Sequence, residues 1–173
     1  MKKLLLLCIP IIMISPFLLT GCGDGSDTQA AKDGDTVSVH YTGTFEDGTQ
    51  FDSSYGKSPL TFVIGSGQMI AGFDNAVRGM TVGEIKTITI PPEEAYGEYR
   101  PELVVVIDLD EFPEGTKPAI GQQVPIQNNA GQQFMARIVK IGTSSVTVDA
   151  NHELAGKSLI FEIELVSITP GGQ

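Results

Sequence analysis

The chain has 173 residues, with 21 acidic and 11 basic side chains and a formal charge of −10. That length holds one or two small domains. An acidic surface without a basic patch argues against a nucleic-acid partner, and two cysteines are too few for a disulfide framework.

Lys2 and Lys3 precede an apolar run from Leu4 to Leu19 that is interrupted by Pro10, Ser15 and Pro16. This is the organisation of a secretory signal, and the run is about the length of a minimal membrane span. Leu19-Thr20-Gly21-Cys22 resembles a bacterial lipobox, in which the cysteine is acylated and becomes the first mature residue. The expectation is a signal peptide over residues 1–21 and lipidation, palmitate included, at Cys22. Several acyl chains on one cysteine hold firmly, because each buried methylene contributes about 0.8 kcal/mol and a single chain binds only marginally. Cleavage removes Cys8 and two lysines, which takes the formal charge from −10 to −12 and leaves no free thiol. Gly23 to Asp33 contains no large apolar residue, so residues 22–34 read as a flexible tether. The expected location is the cell envelope, lipid-anchored to a bacterial membrane on its extracytoplasmic side.

Strand patterns dominate the remainder. Val37, Val39 and Tyr41 alternate with Thr36, Ser38 and His40, as in a half-buried strand. Asp47-Gly48 between Phe45 and Phe51 signals a hairpin, and Leu60 to Ile64 is a second apolar strand. Ile70, Phe73 and Val77 recur at helical spacing, with Gly79 as the stop. Ile88 and Ile90 lead into Pro91-Pro92, which ends a strand. Near the far end Leu159, Phe161, Ile163 and Leu165 alternate with Ile160, Glu162 and Glu164, a strand that needs partners from the first half. Between them, residues 98–154 hold strand-like runs at Val104 to Leu109, Phe134 to Ile141 and Val146 to Val148. This stretch is too long for a structureless loop and reads as a small all-β domain inserted at a loop tip. No second membrane segment is visible in these alternating patterns.

Several segments together resemble one family. Val39-His40-Tyr41-Thr42-Gly43, Gly48-Thr49-Gln50-Phe51-Asp52-Ser53-Ser54, Met80-Thr81-Val82-Gly83-Glu84 and Ala95-Tyr96-Gly97 are similar to the FKBP-type prolyl isomerases. The long insert, returning through Asn151-His152-Glu153-Leu154-Ala155-Gly156-Lys157, resembles the SlyD-like branch, where it is a chaperone module called the insert-in-flap domain. The resemblance implies an α+β fold, an FKBP-like antiparallel sheet wrapped around one short helix. The first part would span 35–97, the insert 98–154 and the final strand 155–170. It further implies Tyr41, Phe51 and Phe161 as pocket aromatics, with Met69 and Ile70 as the aliphatic wall and a backbone donor. Phe73 is the floor, where many members have tryptophan, and Leu60 stands at the rim, where many have phenylalanine. Those departures bear on macrolide inhibitors more than on the isomerase reaction. Tyr96 is the phenol that hydrogen-bonds a substrate carbonyl, and Asp52 is a rim carboxylate rather than a general base, since no proton moves.

Without the resemblance the same residues have plainer readings: Phe51, Phe73 and Phe161 as core aromatics, and Asp52-Ser53-Ser54 as turn chemistry. Val104 to Ile107 either builds the insert's own core or stays partly exposed for unfolded chains. His40 and His152 have no metal ligands at useful spacing, and the closing Thr169-Pro170-Gly171-Gly172-Gln173 lacks the His- and Cys-rich character of nickel-binding tails. No metal and no cofactor are therefore expected. The function implied is peptidyl-prolyl cis–trans isomerisation and chaperoning of exported, proline-containing polypeptides. The alternative from another class is a lipid-anchored chaperone or interaction module with negligible catalysis. Nothing signals assembly, so a monomer is expected.

Overall fold

A computed structural model describes residues 29–112, 117–127 and 131–172. The signal segment and Cys22 lie outside the described residues. Strands β1 (Thr36–Thr44), β2 (Gln50–Ser53), β3 (Leu60–Val63), β4 (Ile85–Ile90) and β9 (Leu159–Thr169) form one antiparallel sheet. Helix α1 (Ala71–Val77) packs on it, contacting β4 and β9. A second antiparallel sheet, in the order β5-β8-β7-β6, is built from β5 (Val104–Asp108), β6 (Gln123–Gln127), β7 (Gln133–Ile141) and β8 (Ser145–Asp149). Among the described residues, antiparallel sheet around a single short α-helix is the α+β architecture expected from the sequence, beside a second all-antiparallel sheet.

The long-range pairing explains how distant residues meet. β9 lies between β1 and β4, so Phe161 sits opposite Gly43 on one side and Ile88 on the other. The alternation of β9 turns Leu159, Phe161, Ile163 and Leu165 inward, and all are buried. Val37 and Val39 of β1 are fully buried beside them.

β1 changes partner along its length: Thr36 to Val39 pair with β3, and Thr42 to Thr44 pair with β2. Tyr41 falls at the changeover, where its N–H would lack a ladder partner. The buried hydroxyl of Ser54 accepts that N–H at 2.9 Å. The Ser54 N–H in turn donates to the Tyr41 carbonyl at 3.0 Å. The backbone of Tyr41 is thus fixed at the place where the edge switches.

Helix α1 approaches the sheet through Gly72, where a Cβ would stand 2.4 Å from Cγ2 of Ile90. A seven-residue helix has little stability of its own. Asp74 supports it: both carboxylate oxygens accept the Gly65 N–H at 3.1 Å, and Arg78 pairs with it at 2.6 Å. Arg78 also pairs with Asp33.

That contact alters one sequence-based reading. Residues 31–34, read as the end of a flexible tether, are held against the domain. Ala31 is buried and exchanges backbone hydrogen bonds with Met80 and Gly79, while the Gly34 N–H donates to Ile64. Ala31 thereby joins the core cluster that also contains Met80.

The second sheet has its own core of Val124, Ala136, Ile138, Val146 and Val148. The apolar run in β5 divides: Ile107 packs on this core, whereas Val105 and Val106 are exposed. β6 was not foreseen from sequence. Among the described residues no helix is long and apolar enough to cross a membrane.

Candidate active site

The predicted aromatics converge on one cluster. Phe73 of α1 meets Phe161 of β9 edge-on at 5.3 Å between ring centroids, and Tyr41 of β1 at 5.8 Å. Phe161 meets Tyr41 at 6.0 Å and Phe51 of β2 at 5.6 Å. Edge-to-face arrangements of this kind are favoured because the positive ring edge faces the negative ring face. Phe73 is 1% exposed and serves as the centre on which the other rings rest. Phe62 also packs edge-on against it at 5.9 Å. Met69, Ile70 and Leu60 are half-buried against the same core. Ile70 also opens α1, its carbonyl accepting the Asp74 N–H at 3.1 Å.

The cluster has a polar side. The Tyr41 hydroxyl donates to Oδ2 of Asp52 at 2.6 Å, and Oδ1 of Asp52 accepts the Ser53 N–H at 2.8 Å. Burial pushes the Tyr41 phenol up to about 12, and the hydrogen bond to Asp52, its charge and the neighbouring Tyr96 add to the shift. Tyr41 is therefore a neutral phenol whose proton points at Asp52. Asp52 orients that phenol and is itself exposed.

Tyr96 follows a short 3₁₀ turn at Pro92–Glu94, closed by the Gly97 N–H on the Pro92 carbonyl at 2.8 Å. Tyr96 is 41% exposed, and its ring lies flat on the ring of His152, with centroids 4.0 Å apart and planes 3° from parallel. The structure thus links Tyr41, Phe51, Phe73 and Phe161 through ring contacts, with Phe161 touching the other three and Asp52 joined through Tyr41, and it packs Met69, Ile70 and Leu60 against the same core. Tyr96 is on a separate segment, and the influence of its phenol on Tyr41 is electrostatic.

Three residues around this cluster escaped sequence reasoning as parts of the site. Gly43 is a notch: a Cβ there would sit 2.6 Å from Cζ of Phe51 and 3.0 Å from Cε1 of Phe161. Lys157 places its ammonium 4.6 Å from the centre of the Phe45 ring, which packs at a tilt against Phe51 with centroids 4.9 Å apart. His152 was weighed only as a metal ligand. Among the described residues no group of three or more His, Cys, Asp or Glu side chains is arranged to hold a metal.

A second feature lies in the small sheet. β5 and β6 are at opposite ends of its strand order, yet both line one groove of about 1220 Å³. The sheet must curl for its edges to face each other. Val105, Val106, Phe112, Ile126 and Phe134 supply apolar lining, with Glu102 and Glu111 also facing the groove.

An antiparallel β-sheet wrapped around a short helix, with an aromatic cluster packed between them, is the architecture that these elements define. The family model for FKBP-type peptidyl-prolyl cis-trans isomerases matches residues 27–166, and the chain belongs to that family. It is 32% identical over 132 residues to a probable FKBP-type 16 kDa peptidyl-prolyl cis-trans isomerase of Pseudomonas fluorescens, covering 76% of this chain and 87% of that one. It is 40% identical over 113 residues to a short-type peptidyl-prolyl cis-trans isomerase of Methanocaldococcus jannaschii, covering 65% and 69%. The isomerase SlyD of Vibrio cholerae is 34% identical over 132 residues, covering 76% of this chain and 65% of that one.

Proposed function

We propose that the aromatic cluster is where this isomerase turns X–Pro bonds, with Tyr41, Phe51, Phe73 and Phe161 as its walls and floor. The observation that carries this is the mutual edge-on packing of those rings beside the polar pair Tyr41–Asp52. Rotation of a peptide bond must overcome about 18–20 kcal/mol of lost resonance. The planar amide is the more polar state, so a water-poor aromatic surface favours the twisted one. Met69, Ile70 and Leu60 would flank the proline ring. Tyr96 would hold a substrate carbonyl by its hydroxyl while the bond turns, a contact worth most in the transition state. No proton transfer is needed, which suits Asp52 as an orienting acceptor for Tyr41.

The groove of the inserted sheet would hold unfolded stretches of exported polypeptides as an insert-in-flap chaperone module, and its tethering would raise their effective concentration at the cluster. The signal-like N-terminus would place the protein outside the cytoplasmic membrane, attached through lipid on Cys22. Cys22→Ser should abolish incorporation of a labelled fatty acid; continued labelling would remove the anchor from the account.

The decisive experiment compares the protein with Tyr41→Ala, Phe161→Ala and Asp52→Ala in a protease-free assay of a proline peptide. Each aromatic truncation should lower kcat/KM at least tenfold, and Asp52→Ala less. Equal activity in all three variants would rule out the cluster as the site. Val106→Asp, in the groove, should leave peptide turnover intact while slowing proline-limited refolding of a protein substrate. Unaltered refolding would separate the groove from the reaction.

A further inference from the structure

Tyr96 and His152 form the flattest ring pair described in the structure, and nothing in the cluster requires it. The two residues come from opposite ends of the insertion. Tyr96 lies just before the chain leaves for the second sheet, and His152 lies just after it returns. The Tyr96 side chain is exposed, and a phenol on an exposed turn samples many directions unless something holds its ring. His152 is built to do so. Its Nδ1 accepts the backbone N–H of Leu154 at 3.2 Å, which orients the ring. The His152 carbonyl accepts the Ala155 N–H at 2.9 Å, closing the turn that carries it. That turn is anchored in the main domain, where Ala155 is buried and the Gly156 N–H donates to the Gly97 carbonyl at 2.8 Å, one residue beyond Tyr96. The turn is anchored on the insert side as well. The Asn151 side chain accepts the Arg100 N–H and donates to the Arg100 carbonyl, each at 2.9 Å.

We infer that His152 is a positioning residue for catalysis: its imidazole is the platform that holds the Tyr96 phenol in its working orientation. This deepens the functional reading above and rests on it, since the platform matters to turnover only if Tyr96 touches the substrate. It also makes the insert's return segment part of the active site, because the ring that aligns Tyr96 is set by the turn that closes the insertion. A misplaced hydrogen-bonding group loses most of its value in the transition state, where geometry is most demanding.

The test is a double-mutant cycle in the full-length protein in detergent, read by kcat and KM on a proline peptide. His152→Ala should lower kcat about three- to tenfold, the range expected when one aromatic pair is lost, with KM nearly unchanged. His152→Phe, which keeps a flat partner, should recover at least half of the loss. In a Tyr96→Phe background, where the hydroxyl is already gone, His152→Ala should cost less than a further factor of two. An equal penalty in both backgrounds, or no penalty in either, would overturn the inference. Thermal melting of His152→Ala, measured alongside, separates lost positioning from lost folding. The stack itself is read without turnover: the His152 ring protons should move downfield in the nuclear magnetic resonance spectrum of Tyr96→Leu. A moved resonance with no isomerase activity in the parent protein would mean that the stack exists and the functional reading fails. An unmoved resonance would mean that the stack does not form.

Discussion

Tyr41 shows how one residue can answer several demands at once. Its backbone bridges the change of partner along β1 through Ser54, its ring packs edge-on against Phe73, and its hydroxyl is committed to Asp52. Burial, then Asp52, raises its phenol to about 12, above the usual value near 10. The sign follows from linkage: a raised folded-state value means the neutral form is favoured on folding. That contribution is whole below about pH 10 and is lost as pH rises toward 12. Stability should therefore show no Tyr41-linked loss from neutral pH to about 10 and then fall. In an ultraviolet titration Tyr41→Phe should remove the latest of the tyrosine steps; an unchanged last step would assign it elsewhere. Gly43 acts at the same scale by what it lacks. Gly43→Ala would push a methyl into Phe51 and Phe161. The expected cost is about 1–3 kcal/mol, as for other overpacked positions, with a fall in kcat/KM because both displaced rings belong to the proposed site. Denaturant midpoints and peptide kinetics measured together check both parts.

At the scale of elements, α1 is held from outside. Its seven residues make too few internal hydrogen bonds to persist alone. Burial of Phe73, Ala76 and Val77 supplies the packing, and the Asp74 carboxylate ties its first turn to Gly65 and its end to Arg78. Asp74→Ala would leave the Gly65 N–H and the Arg78 guanidinium without that partner. A loss of about 1.5–3 kcal/mol is expected, typical of hydrogen bonds to charged groups, and chemical denaturation measures it. A loss near zero would show that Asp33 and water replace the carboxylate. β6 illustrates an element that its own sequence conceals. Pro125 interrupts the alternation of Val124 and Ile126, and Gln122, Gln123 and Gln127 surround it with polar residues. The strand forms because β6 is an edge, where a residue without an N–H is tolerated. β9, in contrast, declares itself through four alternating large apolar residues, a period that only a half-buried strand satisfies.

Across the whole molecule, the two sheets are joined by chain segments that pair with each other. The Ala150 N–H donates to Leu103, the Gly156 N–H to Gly97, and Asn151 brackets Arg100 from both sides. The Tyr99 hydroxyl donates to Asp149 at 3.0 Å. Burial pulls the Asp149 carboxyl up, but hydrogen bonds from Asn151 and Tyr99, with the Arg137 charge, hold it below the usual carboxylate range. Asn151→Ala removes the bracket around Arg100 and should loosen the neck between the sheets. Hydrogen exchange at Arg100 should quicken, and turnover of a protein substrate should fall more than turnover of a short peptide. Equal effects on both substrates would mean that the neck acts through the cluster or the stability of the domain and not through the hold of the insert on a protein substrate.

The sequence by itself determined the strand and helix identities wherever the apolar period was unbroken, and it determined the short motifs around Tyr41, Phe51, Asp52 and Tyr96. Those signals are local: a period of two or of three to four, a turn residue, a run of side chains within a few positions. Tertiary structure decided what locality cannot encode. It docked Ala31 to Met80 where the composition read as tether, and it split Val104 to Ile107 between core and surface. It made Gly43 the notch for two rings that arrive on β2 and β9, and it laid His152 beneath Tyr96 across the whole insertion. Each of these depends on which strand lies beside which, and that is fixed by pairing between segments far apart in the chain rather than by the residues next in line.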